Sequence, residues 1–169
     1  MTTEFRGATR IVGPDACREI LLVGELNPYG SDPRYALYHE PKRAAGYQLQ
    51  HKIFGIEARR WYLPMWRVNL CVGDWDGRDA TRKARELAAP GAPWTTIVML
   101  GVKVAKAFEH ATGAAPAPFC DSMQDGHPTL LSLPHPSLRN TTWTNPNAIA
   151  LARSSLRSVI PLIPWGEIG

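Results

Sequence analysis

"ILLVGELNPYG", residues Ile20 to Gly30, decides how the rest of the chain is read. Ile20-Leu21-Leu22-Val23 is a continuous apolar run, not an alternation of apolar and polar positions. A strand buried on both faces of a parallel sheet has this character. Gly24 closes the run, and a polar loop through Asn27-Pro28-Tyr29-Gly30 follows. Further strands are read at Trp66-Arg67-Val68-Asn69-Leu70-Cys71, at Thr96-Ile97-Val98-Met99-Leu100 before Gly101, and at Leu130-Leu131-Ser132-Leu133, which Pro134 stops.

Helical patterns lie between these strands. One starts near Asp76, carries Ala80, Lys83, Ala84 and Leu87, and ends at Pro90-Gly91. Another follows Gly101 with Val102, Ala105 and Phe108. The last has Asn145 as N-cap and Pro146 in the first helical position, with Ile149, Ala152, Leu156 and Ile160 at helical spacing. Residues 28–65 are less regular, with a helix expected around Ala45 to Phe54. Strand and helix in alternation imply an α/β fold, a parallel or mixed sheet with helices on both faces. Such sheets carry their sites on the loops at the carboxyl ends of the strands.

The chain has 169 residues, enough for one sizeable core and short for two, so residues 1–169 are expected to form a single domain. No apolar run approaches the roughly 20 residues that span a bilayer. The first residues, Met1 to Arg6, do not resemble a secretory leader, and three cysteines at 17, 71 and 120 cannot all pair within one chain. The expectation is a soluble cytoplasmic protein with free thiols, no membrane partner, and a monomer by default. The net charge of +4 suits a polyanionic partner without requiring one, and six tryptophans, five tyrosines and four phenylalanines are available for stacking, although most aromatics in a domain belong to its core.

Three polar clusters fall at strand ends. Gly24 to Asp32 places Glu25, Asn27 and Asp32 within nine residues; alone, this is a turn whose side chains bond their own backbone. Asn69 lies inside an apolar strand, where a carboxamide must find partners. "LPHPSLRNTTW", Leu133 to Trp143, sets His135 after the fourth strand. Each has an ordinary structural reading by itself. Together they offer a water-orienting group, a carboxamide reader and a histidine at one sheet edge, a set suited to hydrolysis of a bond whose leaving group becomes an anion.

These residues resemble the motifs of the uracil-DNA glycosylase superfamily. His135-Pro136-Ser137-Leu138-Arg139-Asn140 is similar to the superfamily's His-Pro-Ser motif, especially the His-Pro-Ser-Pro-Arg-Asn form of the single-strand-selective monofunctional class. Asn69-Leu70-Cys71 is similar to that class's Asn-Leu-Cys. Asn27-Pro28 resembles the Asn-Pro of its first motif, and Asn27-Pro28-Tyr29 the Asp-Pro-Tyr of the uracil-specific class. Val98-Met99-Leu100-Gly101 and the helix after it look like the superfamily's third strand unit.

The resemblance implies a three-layer α/β/α fold around a four-stranded parallel sheet. It also implies a monofunctional DNA glycosylase with DNA as partner, no cofactor and no metal. His135 would hydrogen-bond the pyrimidine O2 as the base departs, Asn69 would read the O4 and N3-H edge, and Tyr29 and Phe54 would wall the pocket. Ser137, Leu138, Arg139 and Asn140 would contact DNA, Arg139 entering the space left by the flipped base. Two residues separate Gly24 from Asn27 where the superfamily's usual spacing allows one. Asn27, Glu25 and Asp32 therefore all stand as candidates for the group facing the water, and Leu138 replaces the usual proline or glycine. Iron-sulfur classes use four cysteine ligands, so three widely spaced cysteines imply no cluster. Two rival expectations accompany the enzyme: a binding module for a modified base, and a glycosylase-like pocket recruited to base modification or antiviral defence.

Overall fold

The computed structural model describes residues 1–13, 17–27, 30–55 and 62–161. It is a mixed α/β structure built on a seven-stranded sheet. The strands are β1 (Thr2–Phe5), β2 (Ala8–Ile11), β3 (Ile20–Leu26), β4 (Trp66–Cys71), β5 (Thr96–Leu100), β6 (Asp121–Ser122) and β7 (Thr129–Leu133), in the order β1-β2-β4-β3-β5-β7-β6. β3 pairs in parallel with β4 and β5, and β5 with β7; β1, β2 and β6 join antiparallel.

The sheet is thus wider and more mixed than the four-stranded parallel one expected. The added strands carry weak signals: β6 has two residues, and β1 alternates exposed and half-buried positions. A hairpin joins β1 to β2 through Arg6 and Gly7, both at positive φ (48° and 72°), as a two-residue turn matched to strand twist requires. Arg6 anchors it, donating to the carbonyls of Glu86, Ala89 and Pro90 at 2.7, 3.0 and 3.0 Å. These lie at the end of a helix, where free carbonyls favour a cation.

Among the described residues four α-helices join the sheet: α1 (Ala45–Tyr47), which runs on as a π-helical turn (Gln48–Phe54), α2 (Gly77–Ala88), α3 (Val102–Thr112) and α4 (Pro146–Val159). Asp76 caps α2 by accepting from the amides of Arg78 and Asp79 at 2.8 and 2.9 Å. Asn145 caps α4 by accepting from the amide of Asn147 at 2.9 Å, with Pro146 next, where its missing N-H costs nothing. The helix expected at 45–54 is present in a wider-wound form that ends at Gly55 in the left-handed region.

Strand alternation sorts the core onto two faces. Ile20 and Leu22 pack with Leu49, Ile53, Phe54, Ala152 and Leu156; Leu21 and Val23 pack with Ala84, Leu87, Val104 and Phe108. Leu21, Leu22 and Val23 are fully buried, each burial contributing roughly 1.5–3 kcal/mol. This double burial is why β3 reads as a continuous apolar run. β3 also extends beyond Gly24 to Leu26, pairing with Cys71, so Glu25 sits on the strand and not in the loop.

Candidate active site

The register of the central strands assembles the site. Val23 pairs with Met99, so two residues further on Glu25 stands level with Gly101, just past β5. Leu100 pairs with Leu133, and the Gly101 amide donates to the Leu133 carbonyl at 2.8 Å, which brings the end of β7 and His135 to the same point. A Cβ on Gly101 would lie 3.0 Å from Glu25 Oε1, 3.2 Å from His135 Cβ and 3.4 Å from His135 Cδ2. Its φ of 108° is also one that side chains rarely adopt. Only glycine lets the carboxylate and the imidazole close over this position.

His135 is held by its own loop. Asn140 Nδ2 and Trp143 Nε1 both donate to the His135 carbonyl at 2.9 Å, and the Asn140 amide donates to the Ser137 carbonyl at 3.1 Å. Burial pushes the imidazole pKa below its usual value; Glu25 opposes that shift and Lys103 adds to it. The ring is neutral near pH 7 and can donate from one nitrogen only. Lys103 Nζ lies 3.6 Å from Glu25 Oε2 and 5.5 Å from the centre of the Trp75 ring.

Asn69 faces Gly24 across the β3–β4 pair. The Asn69 carboxamide oxygen occupies the space where a Gly24 side chain would begin, with Leu37 Cδ2 at 3.0 Å from the same point. Both polar atoms of this carboxamide are buried with no hydrogen-bond partner among the described residues. Each such group costs about 1–3 kcal/mol, an expense a fold retains where a ligand completes the pairing. Leu37 is itself in the left-handed region (φ 47°), held by the Tyr62 hydroxyl, which donates to its carbonyl at 2.7 Å. Backbone strain of this kind collects at functional sites. One strand, β3, separates β4 from β5; alternation along it sends Glu25 to the face of Leu21 and Val23, while Asn69, paired with Gly24, keeps to the face of Ile20, Leu22 and Leu37, so the carboxamide and the Gly101 cluster approach from opposite faces near the carboxyl edge of the sheet.

The other expected site residues divide. Asn27 is buried, donates to the Asp32 carbonyl at 3.1 Å, and shares with Asn69 the lining of a cleft of about 320 Å³. Asp32 is committed to Arg34, whose Nη2 donates to Oδ2 at 2.6 Å, and it also caps the 3-10 turn Pro33–Tyr35; these bonds hold its carboxyl below the usual range. It serves the loop, while Glu25 stands beside His135 and Asn27 shares its cleft with Asn69. Phe54, expected on a pocket wall, is instead fully buried, edge-on to Tyr62 at 6.3 Å between centroids. Tyr29 lies outside the described residues. Ser137 and Asn140 close a tight turn that leaves Leu138 and Arg139 exposed at its tip. Asn140 also caps the 3-10 turn Thr141–Thr144 by accepting from the Thr142 amide, and so holds the loop.

Lys103 and Trp75 were not singled out in the sequence. A lysine in the first turn of a helix and a tryptophan before another read as surface positions; the pairing of β3 with β5 brings Lys103 to Glu25, and Trp75 meets Lys103 there. No protein-family model matches the chain, and no curated protein sequence matches it.

Proposed function

We propose that this protein is a monofunctional DNA glycosylase that hydrolyses the N-glycosidic bond of uracil, or of a 5-substituted uracil, turned out of DNA. The observation that carries this reading is the unpaired buried carboxamide of Asn69, set one strand away from the Glu25–His135 pair. The motif resemblance to the uracil-DNA glycosylase superfamily supports it, as do helices on both faces of the sheet, which suit a three-layer α/β/α architecture. In this reading the protein acts as a cytoplasmic monomer.

The chemistry follows from those side chains. A base within a duplex must be flipped out at a cost of a few kcal/mol, recovered in the pocket. The Asn69 amide accepts from N3-H and donates to O4, matching a uracil edge. As the C1′–N1 bond breaks, its electron pair leaves with the base, the sugar becomes cationic, and neutral His135 donates to the base O2, an effect worth about 3–4 kcal/mol. Glu25 orients the water that attacks C1′ and takes its proton.

Lys103 beside Glu25 favours a second reading, because an ammonium competes with water for that carboxylate. In that case the protein binds a modified base without cutting. Oligonucleotides containing uracil or 5-hydroxymethyluracil, assayed in parallel for binding and for alkali-labile abasic sites, separate the two. Base release supports the enzyme, and binding without release on every substrate replaces it with the binding module.

A further inference from the structure

Trp75 and Lys103 also open a second feature. Between α2 and α3 runs a groove of about 720 Å³ whose cationic walls include Arg78, Arg82 and Arg85 on one side and Lys103 and Lys106 on the other, with His110 at the far end. The lining positions 78, 81, 82 and 85 of α2 and 103, 106, 107 and 110 of α3 each follow the one-face spacing of a helix. Two stripes of cations therefore face one another over about 10 Å of helix.

The charges in this groove are not spent on each other. Arg82 is paired with Asp79 and Glu86 at 3.1 and 3.7 Å, and the one carboxylate in the lining, Asp76, is engaged by the amides it caps. Arg78, Arg85 and Lys106 are exposed and have no ion pair among the described residues. Like charges held this close repel, and a polyanion between them removes the repulsion.

We propose that this groove holds the sugar-phosphate backbone of a single nucleic-acid strand leading to the Glu25–His135 site. Packed helices lie about 8–10 Å apart, so a trough between them takes one sugar-phosphate backbone at a time. Lys103 joins the groove to the site through its pairing with Glu25, and its ammonium also lies over the ring of half-buried Trp75 at that end. A positively charged groove that tracks the backbone is the part of single-strand binding that disregards sequence. The proposal rests on the reading that the site acts on a nucleic-acid base, and its test requires no such base.

The test is fluorescence anisotropy with an unmodified single-stranded oligonucleotide, its duplex and a poly-glutamate peptide, between about 50 and about 200 mM salt. Wild type is expected to bind the single strand more tightly than either competitor. Each of Arg78→Gln, Arg85→Gln and Lys106→Gln should lower the slope of log K against log salt by about 0.7, and the triple variant by about 2. The Lys42→Gln/Arg43→Gln pair, whose Lys42 lines a different cleft, should retain the slope. Thermal melts establish that these exposed substitutions leave the fold intact. An unchanged slope in the folded triple variant overturns the proposal, as does an equal loss in the Lys42/Arg43 pair. Tighter binding of the duplex or of the peptide overturns it too. Failure of the glycosylase reading looks different: no base is released from any oligonucleotide, while unmodified single strands still bind with the full slope.

Discussion

Asn69 lies against Gly24 so closely that a single methyl group on the glycine would overlap the carboxamide oxygen. Gly24→Ala must push the amide away from its place at the sheet edge, and a fall in base release of at least tenfold is expected. A kinetic assay on a uracil oligonucleotide checks this, with circular dichroism to establish that the strand is kept. Activity equal to wild type would remove Asn69 from base recognition.

The same carboxamide gives a prediction of opposite sign for stability. Asn69→Leu replaces two buried, unpaired polar atoms with an apolar side chain of similar size. Relief of the desolvation penalty is expected to raise unfolding free energy by about 1–2 kcal/mol, while base release is lost. Urea denaturation provides the comparison. A destabilised variant would mean that the amide is a structural element.

Protonation of His135 links the site to pH. Its pKa is depressed in the folded protein, chiefly by burial, so folding releases the proton that an unfolded histidine holds below about pH 6.5. This contribution to stability is fully present above about pH 6.5 and is lost as the pH falls through the folded value. His135→Gln should flatten that part of the stability profile. By NMR, Lys103→Met should move the His135 midpoint up, since Lys103 depresses it, and Glu25→Gln should move it down. A midpoint indifferent to both changes would separate the three side chains.

Asn140 positions His135 through the loop. Asn140→Ala removes the bond to the His135 carbonyl and the cap on the following turn, at an expected cost of about 1 kcal/mol. Base release should fall through kcat with KM little changed, because Leu138 and Arg139 at the exposed tip are left in place. A rise in KM alone would return Asn140 to the DNA surface.

Much of this architecture is legible in the sequence because double burial leaves so plain a trace. Leu21, Leu22 and Val23 pack against helices on alternate faces, so the run shows no polar position until Gly24. The caps at Asp76 and Asn145 are legible for a similar reason: a short polar side chain before an apolar periodicity has few other uses. The edge strands are not, since a two-residue ladder such as β6 carries no period, and the first hairpin depends on Arg6 reaching carbonyls about 80 residues away. At the site, spacing alone left Asn27, Glu25 and Asp32 equivalent. What distinguishes them is long-range: the parallel register of β3 with β5 sets Glu25 beside Gly101, while Arg34, two residues on, occupies Asp32. Phe54 is fully buried, and an aromatic at helical spacing looks the same in a core and in a pocket wall.

The most direct test of the site compares uracil release from a single-stranded oligonucleotide by wild type, Glu25→Gln, His135→Ala and Asp32→Ala. Wild type should generate alkali-labile abasic sites, Asp32→Ala should remain active, and Glu25→Gln and His135→Ala should each slow release by on the order of a hundredfold or more with the fold intact. Full activity in the Glu25 and His135 variants, or loss confined to Asp32→Ala, would contradict the account.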